Sequence, residues 1–220
     1  MIVRNWMQEN PTIIGGDTLV VEAKRILSEG SLRALPVVDD GRLRGVVTRA
    51  HCLRAAEAIT RNQDPHEIDY FVNRLKVKDI MVRNPETVEV GDTMAYTLFK
   101  GQDKGVSQFP VMDDNAVVGI VSAAEIFYLS AQLLGAWENW CGITLDNVAV
   151  GKGTLAEIAV FVESQGATLH AIYQLAKQDT REKRVVMRLD SKDMDAIVAA
   201  LIEAGYHVVE SSTNVRGSRS

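Results

Sequence analysis

Cysteine is nearly missing: the 220 residues hold two, Cys52 and Cys141, in no CxxC pattern. That excludes a disulfide scaffold and a cysteine-rich zinc site, and it fits a reducing compartment. Positive charge is also short. The chain has 24 Lys and Arg against 29 Asp and Glu, a formal net charge of −5. An acidic chain has no general attraction for nucleic acid phosphates, so no DNA or RNA partner is expected. No stretch approaches the ~20 apolar residues that span a bilayer. The opening Met1-Ile2-Val3-Arg4-Asn5-Trp6 lacks the apolar segment of a signal peptide. No membrane contact is expected, and the expected location is the cytoplasm. Catalytic signatures are missing too: there is no G-x-S-x-G, P-loop, H-E-x-x-H or dinucleotide fingerprint. His51, His66, His170 and His207 lie in separate segments. His51 and Cys52 adjoin, but no ligand cluster accompanies them, so no metal is expected. The chain reads as a non-enzyme that requires no cofactor.

What is present is ordinary globular material, 46% hydrophobic and 24% charged, in a length that suits two or three compact domains. A repeat organises the first two thirds. Asn10-Pro11 recurs as Asn84-Pro85, Pro36-Val37 as Pro110-Val111, Asp39-Asp40 as Asp113-Asp114 and Gly45 as Gly119, always 74 residues on. Met7 has its counterpart in Met81. Asp17-Thr18 pairs with Asp92-Thr93 one residue later in register. Each unit reads β-α-β-β-α. Asp17 or Asp92 is the expected helix cap. Leu19, Ala23, Ile26 and Leu27 share a helix face. Leu35-Pro36-Val37-Val38 is a buried strand, and Asp39-Asp40-Gly41 and Asp113-Asp114-Asn115 are tight turns. Repeat 1 is expected over 1–59, a connecting helix over 60–76 and repeat 2 over 77–130.

The pattern Leu-Pro-Val-Val-Asp-Asp-Gly followed by Gly-Val-Val-Thr resembles a CBS domain, and two in tandem resemble a Bateman module. The resemblance covers roughly residues 1 to 130.

Ile126, Leu129, Leu133, Trp137 and Trp140 step by three and four, which predicts one joining helix over 123–141 with Gly142 as its end. Residues 143–210 then read β-α-β-β-α-β, the ferredoxin-like order. Thr154 and Glu157 form a T-x-x-E capping box, Gly166 and Gly205 are helix stops, and Ser191 is the expected cap of the last helix. Residues 211–220 are expected to be a disordered tail. Gly153-Thr154-Leu155-Ala156-Glu157-Ile158-Ala159, followed by Gly166-Ala167, resembles the first half of an ACT domain, with Lys152-Gly153 where that family often has Pro-Gly. The whole arrangement is similar to the acetoin-utilisation AcuB-type family. The expected fold class is α+β: two CBS repeats forming a Bateman module, then a ferredoxin-like ACT domain.

The CBS resemblance implies a ligand site where the second strand of each repeat runs into its second helix. A helix N-terminus offers free amides and partial positive charge to a phosphate. The family's pattern there is Gly-h-h-Thr/Ser-x-x-Asp, whose carboxylate holds the ribose. This chain has Thr48, Arg49 and His51 in one copy, and Ser122 and Glu125 in the other. The hydroxyls remain and both aspartates are gone. Ser122 and Glu125 also form a capping box, and Thr48 a plain N-cap, without any ligand. Arg49 is a phosphate-facing candidate or part of a solvated surface. If His51 approaches a phosphate, affinity should rise as pH falls toward ~6.5. By resemblance, the slot for the base comes from Ile13, Ala34 and Leu35 in one copy and Val88, Gln108 and Phe109 in the other, most of them also core candidates, Leu35 above all. In the ACT-like part, Gly151, Gly153 and Thr154 mark either a ligand approach or a simple turn.

The resemblance implies a non-catalytic sensor. It would bind AMP, ADP, ATP, NAD or S-adenosylmethionine in the CBS cleft, with an amino acid at the ACT part, as a homodimer. The alternative is a constitutive oligomeric scaffold with vestigial sites.

Overall fold

The computed structural model describes residues 1–30, 32–60, 73–138, 140–177 and 182–213. The chain divides into two units, Met1–Leu129 and Ser130–Ser220.

The first unit contains both repeats. Repeat 1 opens with a 3-10 turn, Val3–Asn5, and continues with β1 (Gln8–Glu9), α1 (Val20–Glu29), β2 (Ala34–Asp39), β3 (Arg42–Thr48) and α2 (Arg49–Thr60). Repeat 2 has α3 (Val77–Ile80), β4 (Val82–Arg83), β5 (Val88–Glu89), α4 (Met94–Lys104), β6 (Gln108–Asp113), β7 (Ala116–Ser122) and α5 (Ala123–Leu133). The expected connecting helix over 60–76 falls mainly on residues 61–72, outside the described residues.

The two tight turns form as read. Asp40 and Gly41 have φ of 52° and 71°, and Asp114 and Asn115 have 46° and 69°. Two consecutive left-handed residues match the twist of the strands they join, which selects Asp, Asn and Gly here. Pro36 and Pro110 lie within β2 and β6.

The strand order shows something the repeat alone does not. One sheet runs β2-β3-β4 and the other β1-β7-β6-β5. Each repeat therefore gives its opening strand to the other: β1 pairs with β7 and β4 with β3, both antiparallel. Two cores result. Leu27, Leu35, Val37, Val47 and Val77 fill one, and Val3, Phe109, Val111 and Val121 fill the other. Val77 and Val3 are themselves the exchanged contributions.

Asp17 and Asp92 are not the helix caps. Leu19 is the N-cap of α1, without a side-chain bond, and Thr93 caps α4 by accepting from the Tyr96 amide. Asp17 instead pairs with Lys76 and Lys78, each at 2.8 Å. Asp92 accepts from the Glu89 amide at 2.8 Å.

The second unit has β8 (Cys141–Val148), α6 (Thr154–Ser164), β9 (Thr168–Ala176), β10 (Lys183–Asp190), α7 (Met194–Glu203) and β11 (His207–Ser212). Its sheet order is β11-β8-β10-β9, with every pair antiparallel. This is the ferredoxin-like arrangement read from the sequence. Ile143, Leu145, Ile158, Met187, Leu189, Ile197 and Leu201 are buried in its core.

Four local expectations are corrected. The joining helix stops at Leu133 and does not reach 141. Gly135 is left-handed at φ 64°, the Gly135 amide donates to the Gln132 carbonyl and the Ala136 amide to the Ala131 carbonyl. These bonds satisfy the helix's last carbonyls and end it. Trp137 and Trp140 therefore lie beyond the helix. Trp140 stacks on His170 with centroids 4.5 Å apart, and Gly142 belongs to β8. Thr154 is not the cap of α6. Gly153 is, at φ 92°, while the Thr154 hydroxyl accepts from the Gly151 amide. Asp193, not Ser191, caps α7 by accepting from the Ala196 amide at 3.0 Å. Ser211 and Ser212, expected in the tail, pair with Ile143 and Gly142 in β11. Residues 214–220 lie outside the described residues.

Candidate functional site

The repeats meet where β3 and β7 approach each other. At their ends, Thr48 leads into α2 and Ser122 into α5. Two cavities open beside these helix starts. The first, about 430 Å³, is lined by Leu32, Arg33, Thr48, Arg49 and Ala50 of repeat 1 and Gln108 of repeat 2. The second, about 490 Å³, is lined by Ser107, Gln108, Ser122, Ala123, Ala124 and Phe127 of repeat 2, with Arg33 of repeat 1. Arg33 and Gln108 belong to both. Each cavity thus takes most of its wall from one repeat and a side chain from the other.

The helix starts are closed on themselves. In repeat 2 the Ser122 amide and hydroxyl both donate to Glu125 Oε2, at 2.7 and 2.6 Å, and the Ser122 hydroxyl accepts from the Ala124 amide at 3.1 Å. In repeat 1 the Thr48 amide donates to His51 Nδ1 at 3.2 Å, and the His51 amide donates to Thr48 Oγ1 at 3.4 Å. Both are capping boxes, with histidine in the unusual acceptor role in one of them. Burial pushes the His51 imidazole below its ordinary pKa, and Arg54 nearby adds to this. Its Nδ1 accepts a backbone hydrogen bond only when unprotonated. Arg49 donates from Nη2 to the Leu27 carbonyl at 3.2 Å, which holds the guanidinium beside the helix start.

Of the residues predicted from sequence, Thr48, Arg49, Gln108 and Ser122 line the two cavities. His51 and Glu125 lie one turn further along their helices and do not, because their polar atoms are turned onto backbone amides. The expected base slot is also displaced. Ala34, Leu35, Val88 and Phe109 are core, each 3% exposed or less. Ile13 is exposed and lines neither cavity. Phe109 instead lines a third, apolar cavity of about 370 Å³ between α4 and α5. Sequence reasoning missed Arg33, Ser107, Ala124 and Phe127. Arg33 and Ser107 share the 74-residue offset and directly precede the proline-bearing strands, a signal that was available.

In the second unit, Gly151, Gly153 and Thr154 form a closed turn. The left-handed Gly153 is required for it, and the Thr154 hydroxyl is occupied by the Gly151 amide. At the opposite end of that sheet, Cys141, Thr168, Asp190 and Asp193 border a cavity of about 910 Å³. Among the described residues no three His, Cys, Asp or Glu side chains are grouped to hold a metal. No helix among them is long and apolar enough to cross a membrane.

The CBS domain family profile matches residues 3–58 and 77–131, the two repeats that exchange strands. The chain belongs to the CBS domain family. Among solved structures it resembles the CBS domain pair of protein MJ0100 in complex with 5′-methylthioadenosine and S-adenosyl-L-methionine. That likeness is at 25% identity and a TM-score of 0.51, over 60% of this chain and 97% of the other. It shares its fold with a putative acetoin utilization protein (AcuB) from Vibrio cholerae, at 19% identity and a TM-score of 0.52, over 63% of this chain and 96% of the other. Among curated proteins, inosine-5′-monophosphate dehydrogenase of Staphylococcus aureus is 25% identical over 218 residues. The match covers 94% of this chain and 43% of the enzyme, so the CBS protein spans less than half of that relative.

Proposed function

We propose that this CBS protein is a non-catalytic regulator that binds an adenine nucleotide or a related adenosine metabolite in the cleft between its repeats. One observation carries the reading: two cavities, each at a helix start, share Arg33 and Gln108 across the repeat boundary. A ligand in either one touches both repeats, so occupancy changes the free energy of their packing. Arg49, Thr48 and the start of α2 supply donors and positive potential for a phosphate. The AMP, ADP, ATP, NAD and S-adenosylmethionine expected from the sequence remain the candidates, and the MJ0100 ligands add 5′-methylthioadenosine to them. The β-α-β-β-α-β unit acts as an ACT-type module, although its Gly151-Gly153-Thr154 turn is closed on itself, and the protein works as a cytoplasmic homodimer.

Calorimetry with these six adenine compounds tests the reading. Saturable binding of any of them, lost in Arg33→Ala, supports it. No heat from any at millimolar concentration overturns it.

A second reading is favoured by one specific feature. Both helix starts satisfy their own amides through Thr48–His51 and Ser122–Glu125, and neither offers a free ribose carboxylate to the cleft. On that reading the CBS protein is a constitutive oligomeric scaffold. An intact oligomer whose melting temperature no metabolite raises decides for it.

A further inference from the structure

The 74-residue repeat lets the two half-sites be compared position by position. Arg33 has Ser107 as its counterpart, Arg49 has Ala123, His51 has Glu125 and Leu27 has Gly101. All four exchanges run in one direction: repeat 2 loses positive charge, gains negative charge or loses bulk.

The consequences are local and additive. The first cavity has two guanidinium groups, Arg33 and Arg49, at the start of α2. Arg49 spends one donor on the Leu27 carbonyl and keeps the rest of its fork. The residue three positions into that helix is a histidine whose proton burial disfavours, so it adds no charge of either sign near neutral pH. The second cavity has Ser107 and Ala123 in place of the two arginines, with Arg33 alone on its wall. Beside it the Glu125 carboxylate is bound to Ser122, and it offsets the partial positive charge of the α5 start. Phe127, 77% exposed, offers that cavity an aromatic face. Leu27 fills the core of repeat 1, whereas at Gly101 the apolar cavity lined by Leu98, Val106, Phe109 and Ile126 opens. That cavity borders the second half-site, since Ser107 and Ala123 line both.

We infer that the half-sites are chemically distinct: the first takes the phosphate-bearing end of a nucleotide, and the second takes an uncharged nucleoside. This rests on the adenosine reading above. It turns a symmetric cleft into a sensor of two different species, one anionic and one neutral.

The experiment is calorimetry on the full chain with AMP and adenosine as probes. AMP is expected to bind one site per chain, and adenosine titrated into AMP-saturated protein still finds one site. Arg49→Ala weakens AMP by about tenfold or more, the loss of one charged hydrogen bond, and leaves that adenosine site unchanged. Glu125→Gln keeps a capping box while removing the charge. Together with Ala123→Arg, at an exposed position, it is expected to raise the AMP stoichiometry to two. AMP occupying two equal sites in the unaltered protein, or AMP excluding adenosine completely, overturns the inference while the adenosine reading stands. Silence from both probes overturns the inference, while the adenosine reading falls only if the other five adenine compounds are silent as well.

Discussion

Met7 lies directly over Gly119: a methyl group built on that glycine would meet the Met7 sulfur at 2.5 Å. Met81 does the same to Gly45, again at 2.5 Å. Each methionine belongs to one repeat and each glycine to the other. The contact sits where an exchanged strand crosses its new partner, with Gly119 opposite Glu9 and Gly45 opposite Arg83. The glycines are therefore required by close approach of a neighbouring chain segment rather than by backbone conformation.

Gly119→Ala is expected to destabilise the CBS protein by about 1–3 kcal/mol, the usual cost of overpacking. Met7→Ala in the same chain should restore part of this, because the obstruction is mainly the flexible side chain. Gly45→Ala should be rescued less by Met81→Ala, since the Val82 carbonyl also lies within 2.8 Å of the added methyl. Urea denaturation of the two double-mutant cycles measures the difference.

Gly101 lies inside α4, where alanine is worth about 1 kcal/mol more than glycine in helix propensity. A Cβ there would stand 2.8 Å from the Val106 carbonyl, which is backbone and does not swing away. Overpacking should outweigh propensity, so Gly101→Ala is expected to lose about 1 kcal/mol net. A stabilised variant in thermal denaturation would show that the loop at Val106 yields.

Hydrogen bonds and charge from Lys76 and Lys78 lower the Asp17 pKa to about 2 from 3.8. Its contribution is thus present above pH 3.8 and lost as pH falls toward 2. Asp17→Asn should flatten the stability profile in that window and nowhere else. The carboxylate is exposed, so the effect should be small and should shrink further in salt. Denaturation midpoints at pH 5, 4 and 3 in low and high salt check both statements.

His51 has a folded pKa below its ordinary 6.5. Its neutral form stabilises the fold fully above that value, and the contribution is lost as pH falls below it. His51→Gln keeps an acceptor for the Thr48 amide and removes the titration. The drop in stability between pH 7.5 and 5.5 should be smaller in the variant. AMP affinity should stay flat between pH 6 and 8, opposite to the rise expected if the imidazole faced a phosphate.

The element order was legible because it is written twice: two copies of Pro-Val, Asp-Asp and Gly at one offset fix strands, turn and strand without reference to anything distant. The strand exchange was not. Met7 with Met81 and Gly45 with Gly119 were all visible as repeats, but nothing local says that Met7 belongs with Gly119. Caps were misread by one or two residues where polar neighbours compete, as at Asp92-Thr93 and Ser191-Lys192-Asp193. The helix end at Gly135 was hidden by Leu133, Trp137 and Trp140, whose spacing continues a helical stripe through a residue that adopts the left-handed conformation. The site was half legible. Thr48, Arg49 and Ser122 lie in the motif, and Gln108 lies two residues before the repeated proline. The place of Arg33 on the second cavity comes from packing across repeats, and Phe127 lies past the motif on α5.

The pairing of β1 with β7 also bears on how the CBS protein is made. Within the pair, β1 is made about a hundred residues before β7, so its edge and the apolar side of Val3 wait unpaired until almost the whole pair has been synthesised. Long-range pairing of this kind folds slowly and leaves the nascent chain exposed to association in the meantime.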